Sequence, residues 1–89
     1  MSLKLSVVFP TFREVRNLEA VARSIEAALR DQRWAYEVIF VDDDSQDGSE
    51  ALAVQLADKL PVRMIVRRGE KGLSTAVLRG ISEARGEFV

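Results

Sequence analysis

Three consecutive aspartates, Asp42, Asp43 and Asp44, directly follow the apolar run "YEVIFV", and Asp47 comes three residues later. Four carboxylates so close together have three possible uses: they can bind a metal ion, accept hydrogen bonds from a nucleotide, or stabilise a turn. Successive side chains of an extended segment point to opposite sides, so adjacent carboxylates cannot converge on one ion. Nucleotide recognition is therefore favoured over metal binding.

The four aspartates differ in their position relative to the turn. Asp42 and Asp43 lie at the end of the predicted strand, where a buried charge is costly without a partner. A carboxylate there accepts paired hydrogen bonds from a base edge, either N1–H and the amino group of guanine or N3–H of uracil. Asp44 and Asp47 stand in the turn pairs Asp-Ser and Asp-Gly, and Asp47 precedes Glu50 as in a capping box, so structural roles are favoured for both.

The composition excludes several classes of function. The chain has 89 residues, enough for one small domain, and its 47% hydrophobic and 30% charged residues are typical of a soluble globular protein. Its 13 basic and 14 acidic residues give no electrostatic reason to expect a nucleic acid partner. Without cysteine or histidine, any metal would be a hard cation held by oxygen, such as Mg²⁺ or Mn²⁺. We expect a cytoplasmic location, because neither a signal peptide nor an apolar span of about 20 residues is present.

The order of the predicted elements indicates the fold. Apolar runs predict strands over 5–9, 36–41 and 62–67, amphipathic spacing predicts helices from Asn17, from Asp47 and over 74–85, and "EFV" begins a fourth strand. Alternating strands and helices predict an α/β fold with a parallel sheet ordered 3-2-1-4 and helices on both faces. Since the last strand has only three residues, we expect the chain to be the first half of a larger domain, truncated at the fourth strand.

Ligands of such sheets bind beyond the carboxyl ends of the strands, which here carry the loops "PTFREVRN" and "DDDSQDG". The basic turn "RRGEKG" follows the third strand, where Arg67, Arg68 and Lys71 would steer a diphosphate. A solvated basic turn explains Arg67 and Arg68 equally well. For Lys71 ligand binding is favoured, because the helix predicted to begin at Ser74 adds its dipole.

Three segments together carry a family resemblance: "VVFPTFREVRNL", "VIFVDDDSQDGS" and "RRGEKGLSTAVLRGISEARGEFV". In this order the segments resemble the amino-terminal half of the inverting family 2 glycosyltransferases of GT-A fold. The turn "KGLSTA" is most similar to that of the dolichyl- or polyprenyl-phosphate mannosyltransferases. The resemblance implies that residues 1–89 are the amino-terminal part of a single glycosyltransferase domain, with a Rossmann-like nucleotide-binding fold.

The same resemblance implies a set of residues that bind the sugar nucleotide. It assigns Asp43 to hydrogen bonding with the base and Val41 to the flank of the base, while the pocket is lined by Pro10, Phe12 and Glu14. Lys71 joins this set through the argument from the helix dipole. It places no catalytic residue and no metal ligand within the chain. Phe12 keeps the ring but lacks the hydroxyl of the tyrosine found in relatives. Asp44 stands where relatives have glycine or asparagine, which predicts a left-handed backbone.

The implied reaction is the transfer of mannose from GDP-mannose to a polyprenyl (dolichyl) phosphate with inversion, and a uracil nucleotide stays open as the alternative donor. The acceptor phosphate is already an anionic nucleophile. A divalent cation, Mg²⁺ or Mn²⁺, would neutralise the departing diphosphate through ligands outside this chain. We therefore expect residues 1–89 alone to be inactive, and the enzyme to be cytoplasmic or held at the cytoplasmic face of a membrane by parts outside this chain.

Other classes of function fit the sequence less well. A non-catalytic nucleotide- or partner-binding α/β module remains the main alternative to an enzyme. A receiver-like signalling domain would need an aspartate at the end of the third strand, where this chain has Arg67 and Arg68. A dinucleotide-binding domain would need G-x-G-x-x-G after the first strand, and that motif is missing.

Overall fold

The computed structural model describes residues 3–89, which form three strands and three helices in strict alternation. Their bounds are β1 Leu5–Thr11, α1 Val15–Leu29, β2 Tyr36–Asp42, α2 Ser49–Leu56, β3 Val62–Val66 and α3 Leu73–Glu83. The strands lie in the order β1-β2-β3, and both pairings are parallel. The predicted α/β class with a parallel sheet is confirmed. Within the described residues, every helix is too short or too polar to cross a membrane.

The segment predicted to begin a fourth strand makes one isolated bridge. Phe88 pairs with Leu5 in parallel, with Ser6 N–H donating to the Phe88 carbonyl at 2.8 Å and Phe88 N–H donating to the Lys4 carbonyl at 2.9 Å. Leu5 is already paired with Tyr36 of β2, so Phe88 lies along the other edge of β1. One bridge is not a strand, and the four-stranded order 3-2-1-4 stays a prediction.

The core has two parts because the side chains of β2 alternate between the faces of the sheet. One part packs between the sheet and helices α1 and α2, and contains the buried residues Leu18, Ala22, Val38, Phe40, Ala53, Leu56 and Val62. The other part packs between the sheet and α3, and contains Ile39, Val41 and Ala76. Helices therefore cover both faces, as predicted, and β2 is buried on both sides, as expected of a central parallel strand.

The amino-terminal ends of two helices differ from the prediction. Helix α1 begins at Val15, and Asn17 lies inside its first turn, where its amide donates to Glu14 Oε2 at 3.0 Å. Helix α2 begins at Ser49 after Gly48, and Glu50 lies 3.4 Å from Arg68 without closing a capping box. The predicted helix start at Asn17, with Asn17 as its N-cap, and the capping box of Asp47 and Glu50 were therefore wrong predictions. Asp47, described below, accepts an N–H at the start of each of these helices.

Strand β1 also runs further than predicted, through Pro10 to Thr11. Ser6 N–H points away from β2 towards Phe88, and the nitrogens of Val8 and Pro10 follow the same alternation. The N–H that Pro10 lacks would therefore point to the side of β1 that β2 does not occupy. Proline is tolerated in a strand at such an edge.

Helix α3 approaches the sheet closely at Gly80. A Cβ at this position would collide with Val8 Cγ1 and would lie 3.1 Å from Val41 Cγ2. Glycine is needed here because Val8 and Val41 are β-branched side chains with few alternative rotamers.

We predict that Gly80→Ala destabilises the fold even though alanine is the better helix former. Overpacking a core costs about 1–3 kcal/mol, whereas the gain in helix propensity is about 1 kcal/mol. Urea unfolding should therefore show a net loss in the free energy of unfolding. Val8→Ala removes the colliding methyl groups and is the matched control. In that background the added methyl should cost less, and equal losses in both backgrounds would contradict the packing argument.

A buried carboxylate joins the amino ends of the strands to the end of α3. Glu37 accepts hydrogen bonds from the Ser6 hydroxyl at 2.6 Å, from Arg85 N–H at 2.7 Å and from Arg63 Nε at 3.2 Å. Burial raises the pKa of Glu37, but these donors together outweigh burial and leave the pKa below its ordinary value of 4.5. Ionised Glu37 therefore stabilises the fold.

We predict that Glu37→Gln costs stability only while the wild-type carboxylate is ionised. Since the pKa is lower in the folded chain, the contribution is fully present above pH 4.5 and is lost as the pH falls through the folded-state pKa. Hydrogen bonds to charged groups contribute about 1.5–3 kcal/mol, so a loss of this size is expected near neutral pH. Urea unfolding at pH 3 to 7 measures it. The exposed Glu19→Gln is the control, and a loss independent of pH would refute the assignment.

Candidate functional site

The carboxyl ends of the strands are organised around the buried side chain of Asp42, which is only 2% exposed. Thr11, its register partner on β1, donates its hydroxyl to Oδ1 at 2.9 Å. Ser45 donates its N–H to Oδ2 at 2.9 Å and its hydroxyl to Oδ1 at 2.7 Å. Three donors compensate the burial of this charge. Asp42 is thus a structural carboxylate.

Ser45 connects this carboxylate to the loop that follows β1. Its hydroxyl oxygen accepts the N–H of Arg13 at 2.6 Å, so the loops after β1 and β2 are held side by side. Three non-glycine residues in these loops have a left-handed backbone: Arg13, Asp44 and Gln46, with φ of 55°, 54° and 53°. The left-handed conformation predicted for Asp44 is confirmed.

Asp47 joins the starts of two helices. Its carboxylate accepts Ser49 N–H of α2 at 3.0 Å and Val15 N–H of α1 at 3.3 Å. The hydrogen bond from the Ser49 hydroxyl is the main cause that lowers the pKa of Asp47, and the two N–H groups lower it further. Asp47 therefore does satisfy a free helix N–H, as predicted, but from outside the cap position.

Asp43 pairs with an arginine that lies beneath the surface. Arg67 Nε donates to Asp43 Oδ1 at 2.8 Å, Nη2 lies 2.8 Å from the same oxygen, and Gly72 N–H donates to Oδ2 at 3.2 Å. The Arg67 side chain is 1% exposed, so it does not face a diphosphate in this structure. This pair was not predicted from the sequence. The available signal was the period of two along a strand: Ile65 lies two residues before Arg67, Val41 lies two residues before Asp43, and both share one face of the sheet.

Arg67 also holds the turn that precedes α3. Its Nη2 donates to the Gly72 carbonyl at 3.0 Å, and Nη1 donates to the Thr75 hydroxyl at 2.8 Å. Gly72 has a φ of 119°, a conformation in which side chains are strained. The start of α3 is thereby fixed relative to Asp43.

A groove of about 170 Å³ opens beside Asp43, and its lining residues are Pro10, Thr11, Phe12, Asp43, Leu73 and Ala76. We call it the strand-end groove. Phe12 is 48% exposed, and the Arg13 guanidinium lies 5.0 Å from the centroid of its ring. Apolar walls and a single carboxylate suit a planar ring whose edge carries hydrogen-bond donors. The structure thus brings Pro10, Phe12 and Asp43 together.

The other three predicted binding residues lie outside the lining of this groove. Glu14, at the start of α1, lines a larger and mainly apolar cavity of about 520 Å³ between β1 and α1. Val41 has no exposed surface and packs with Ala76 on the sheet face covered by α3. Lys71 is exposed in the turn before α3.

Residues 3–89 contain no cluster of three or more histidine, cysteine, aspartate or glutamate side chains placed to hold a metal ion. Asp42 and Asp43, though adjacent, face opposite sides of the sheet, and each is engaged by its own donors. The described residues therefore do not fit a divalent cation.

Comparison with known proteins decides the family. Residues 6–89 match the profile of the glycosyl transferase family 2. The chain belongs to this family. The resemblance inferred from the three sequence segments is confirmed.

Several relatives carry the same descriptive name, dolichol-phosphate mannosyltransferase. The protein from Pyrococcus furiosus is 47% identical over 96% of this chain and 24% of its own length. The proteins from Saccharomyces cerevisiae and Mycosarcoma maydis are 41% and 42% identical, over 100% and 92% of this chain and 34% and 30% of theirs. The chain thus spans about a quarter to a third of these relatives.

The fold is similar to that of Staphylococcus aureus TarS 1–349, with a TM-score of 0.68 and 26% sequence identity. The similarity covers 98% of this chain and 27% of TarS 1–349. Together with the family match, it supports the GT-A class that the sequence predicted.

We predict that Asp47→Ala affects stability and leaves nucleotide binding nearly unchanged. Loss of an acceptor at a helix start costs about 1 kcal/mol, and Asp47 does not line the strand-end groove. Thermal melts and titration with GDP measure the two effects. Asp58→Ala, at an exposed position, is the control and should change neither property. A large loss of affinity without a loss of stability would place Asp47 in the binding site.

Proposed function

We propose that this chain is the sugar-nucleotide-binding part of an inverting glycosyltransferase that transfers mannose from GDP-mannose to a polyprenyl phosphate. Family membership and the name shared by the relatives at 41–47% identity support the reaction class. The observation that carries the donor-binding role is the strand-end groove, in which the Asp43 carboxylate adjoins the exposed ring of Phe12. Residues 1–89 would then be the amino-terminal part of a single domain.

Asp43 would read the edge of the base. Its Oδ1 is engaged by Arg67, and Oδ2 accepts only the Gly72 N–H, so Oδ2 keeps acceptor capacity. Guanine carries its N1–H and amino donors side by side, so both can approach the one available oxygen, Oδ2. Uracil offers one N3–H between two carbonyl oxygens, which a carboxylate repels. This difference favours a guanine nucleotide.

The size of the groove limits it to part of the donor. Binding sites for drug-sized ligands usually have volumes of about 300–1,000 Å³, and the strand-end groove has about 170 Å³. We therefore assign it to the base, which would stack on Phe12 between Pro10 and Leu73, above the buried Val41. The ribose and the diphosphate would extend beyond the groove, where Glu14 would bind a ribose hydroxyl and Lys71 the diphosphate.

In the proposed reaction an oxygen of the acceptor phosphate attacks C1 of the mannosyl group, the bond from C1 to the diphosphate breaks, and GDP leaves. The phosphate oxygen is already ionised, so no general base is required. A divalent cation, when bound by residues outside this chain, would neutralise the departing diphosphate. A polyprenyl acceptor is a membrane lipid, so the proposed reaction would take place at a membrane surface, for which we propose the cytoplasmic face. Residues 1–89 alone should bind nucleotide without transferring sugar.

The decisive test is Asp43→Asn in the complete gene product. The amide keeps one acceptor for Arg67 but presents N–H groups to the base, so GDP affinity should fall roughly ten- to hundredfold. Asp43→Ala should lose affinity by a similar factor. It should also melt earlier than the asparagine variant, because removing one partner of a buried ion pair is strongly destabilising. Calorimetric titration with GDP and UDP, alongside thermal melts, measures these effects.

Asp47→Ala is the matched control, since it removes a carboxylate from the same loop but outside the groove. If Asp43→Asn bound GDP as tightly as the unmodified protein, Asp43 would not read the base. A protein that binds GDP but transfers no sugar to polyprenyl phosphate with Mg²⁺ or Mn²⁺ present would favour a non-catalytic binding module.

A further inference from the structure

We propose that Arg67 is a positioning residue that sets the base selectivity of the strand-end groove. It would do so by engaging one oxygen of Asp43 and leaving the other for the base. This inference rests on the proposed function of Asp43. The role differs from the contact with a diphosphate that the sequence suggested for Arg67.

The contacts of Arg67 account for the burial of its charge. Its Nε and Nη2 contact Asp43 Oδ1, Nη2 also donates to the Gly72 carbonyl, and Nη1 donates to the Thr75 hydroxyl and to Glu70 Oε2 at 3.4 Å. All three nitrogens therefore have acceptors, as a buried guanidinium requires. Because these acceptors come from the residue after β2, from the turn and from α3, the guanidinium has a single defined position.

This position orients the Asp43 carboxylate. Two guanidinium nitrogens contact the same oxygen, Oδ1, each at 2.8 Å. The other oxygen, Oδ2, has the Gly72 N–H as its donor at 3.2 Å. Rotation of the carboxylate would break the contacts with Arg67, so Oδ2 is held as the acceptor available to a ligand. Lysine would supply the charge but not the planar fork that fixes this orientation.

Arg67 positions a wall of the groove as well. By holding the Gly72 carbonyl and the Thr75 hydroxyl, it fixes the chain on both sides of Leu73, which lines the groove. The acceptor that reads the base and the wall against which the base packs are thus tied to one guanidinium. Loss of Arg67 should therefore reduce the discrimination between GDP and UDP as well as the affinity.

Arg63 provides a matched control on the same strand. Like Arg67, it pairs with a carboxylate on the sheet face that α3 covers, in this case the buried Glu37. That pair lies at the opposite end of the sheet from the strand-end groove. Arg63→Lys therefore tests the general cost of weakening such a pair without touching the groove.

The experiment compares Arg67→Lys, Arg63→Lys, Asp43→Asn and the double variant Arg67→Lys with Asp43→Asn, all in the complete gene product. GDP and UDP affinities are measured by calorimetry, and folding is checked by thermal melts. Arg67→Lys should lower GDP affinity about tenfold, the effect of one lost charged hydrogen bond, and should reduce the ratio of GDP to UDP affinity. Arg63→Lys should lower Tm and leave both affinities within about twofold.

The double variant separates positioning from general structural support. If Arg67 acts mainly through Asp43, then Arg67→Lys should lower GDP affinity by a clearly smaller factor once Asp43 is asparagine, and the loss that remains would measure the support of the groove wall at Leu73. An equal loss in both backgrounds, or a folded Arg67→Lys that keeps the GDP affinity and the ratio of the unmodified protein, would overturn the inference on Arg67 alone. Normal GDP binding by Asp43→Asn would instead overturn the proposed role of Asp43, and this inference with it.

Discussion

The burial of the Asp42 carboxylate is the constraint on which the shape of the site depends. A charge that is only 2% exposed must be compensated by donors, and the parallel register places Thr11 directly opposite it. Ser45 completes the compensation and, through its hydroxyl oxygen, fixes Arg13 in the loop after β1. One buried charge therefore determines the path of both loops beyond the strand ends.

The pleat of β2 explains why two adjacent aspartates serve different purposes. Asp42 shares the face of Phe40, which packs under α1 and α2, whereas Asp43 shares the face of Val41, which packs under α3. Asp42 is satisfied by hydroxyl and N–H donors, and Asp43 by Arg67. The same alternation prevents the two carboxylates from converging on a metal ion.

Helix α3 is fastened to the sheet at both ends by arginine–carboxylate pairs. Arg67 and Asp43 hold its first turn through Gly72, and Arg63 and Glu37 hold the chain at its last turn. Between them, the absence of a side chain at Gly80 lets the helix lie directly on Val8 and Val41. A helix fixed in this way provides a rigid wall for the strand-end groove, which suits recognition of a rigid base.

The sequence by itself determined the alternation of strands and helices through local periodicity, and the family through short motifs. The grouping of Pro10 and Phe12 with Asp43 followed from the family resemblance. Tertiary structure alone decided the start of α1 and the burial of Arg67. Asp47 accepts a hydrogen bond from Val15, 32 residues earlier in the chain, and Arg67 donates one to Asp43, 24 residues earlier. Such pairings depend on how strands and loops lie beside one another, and this arrangement cannot be predicted from the residue pattern within a single segment.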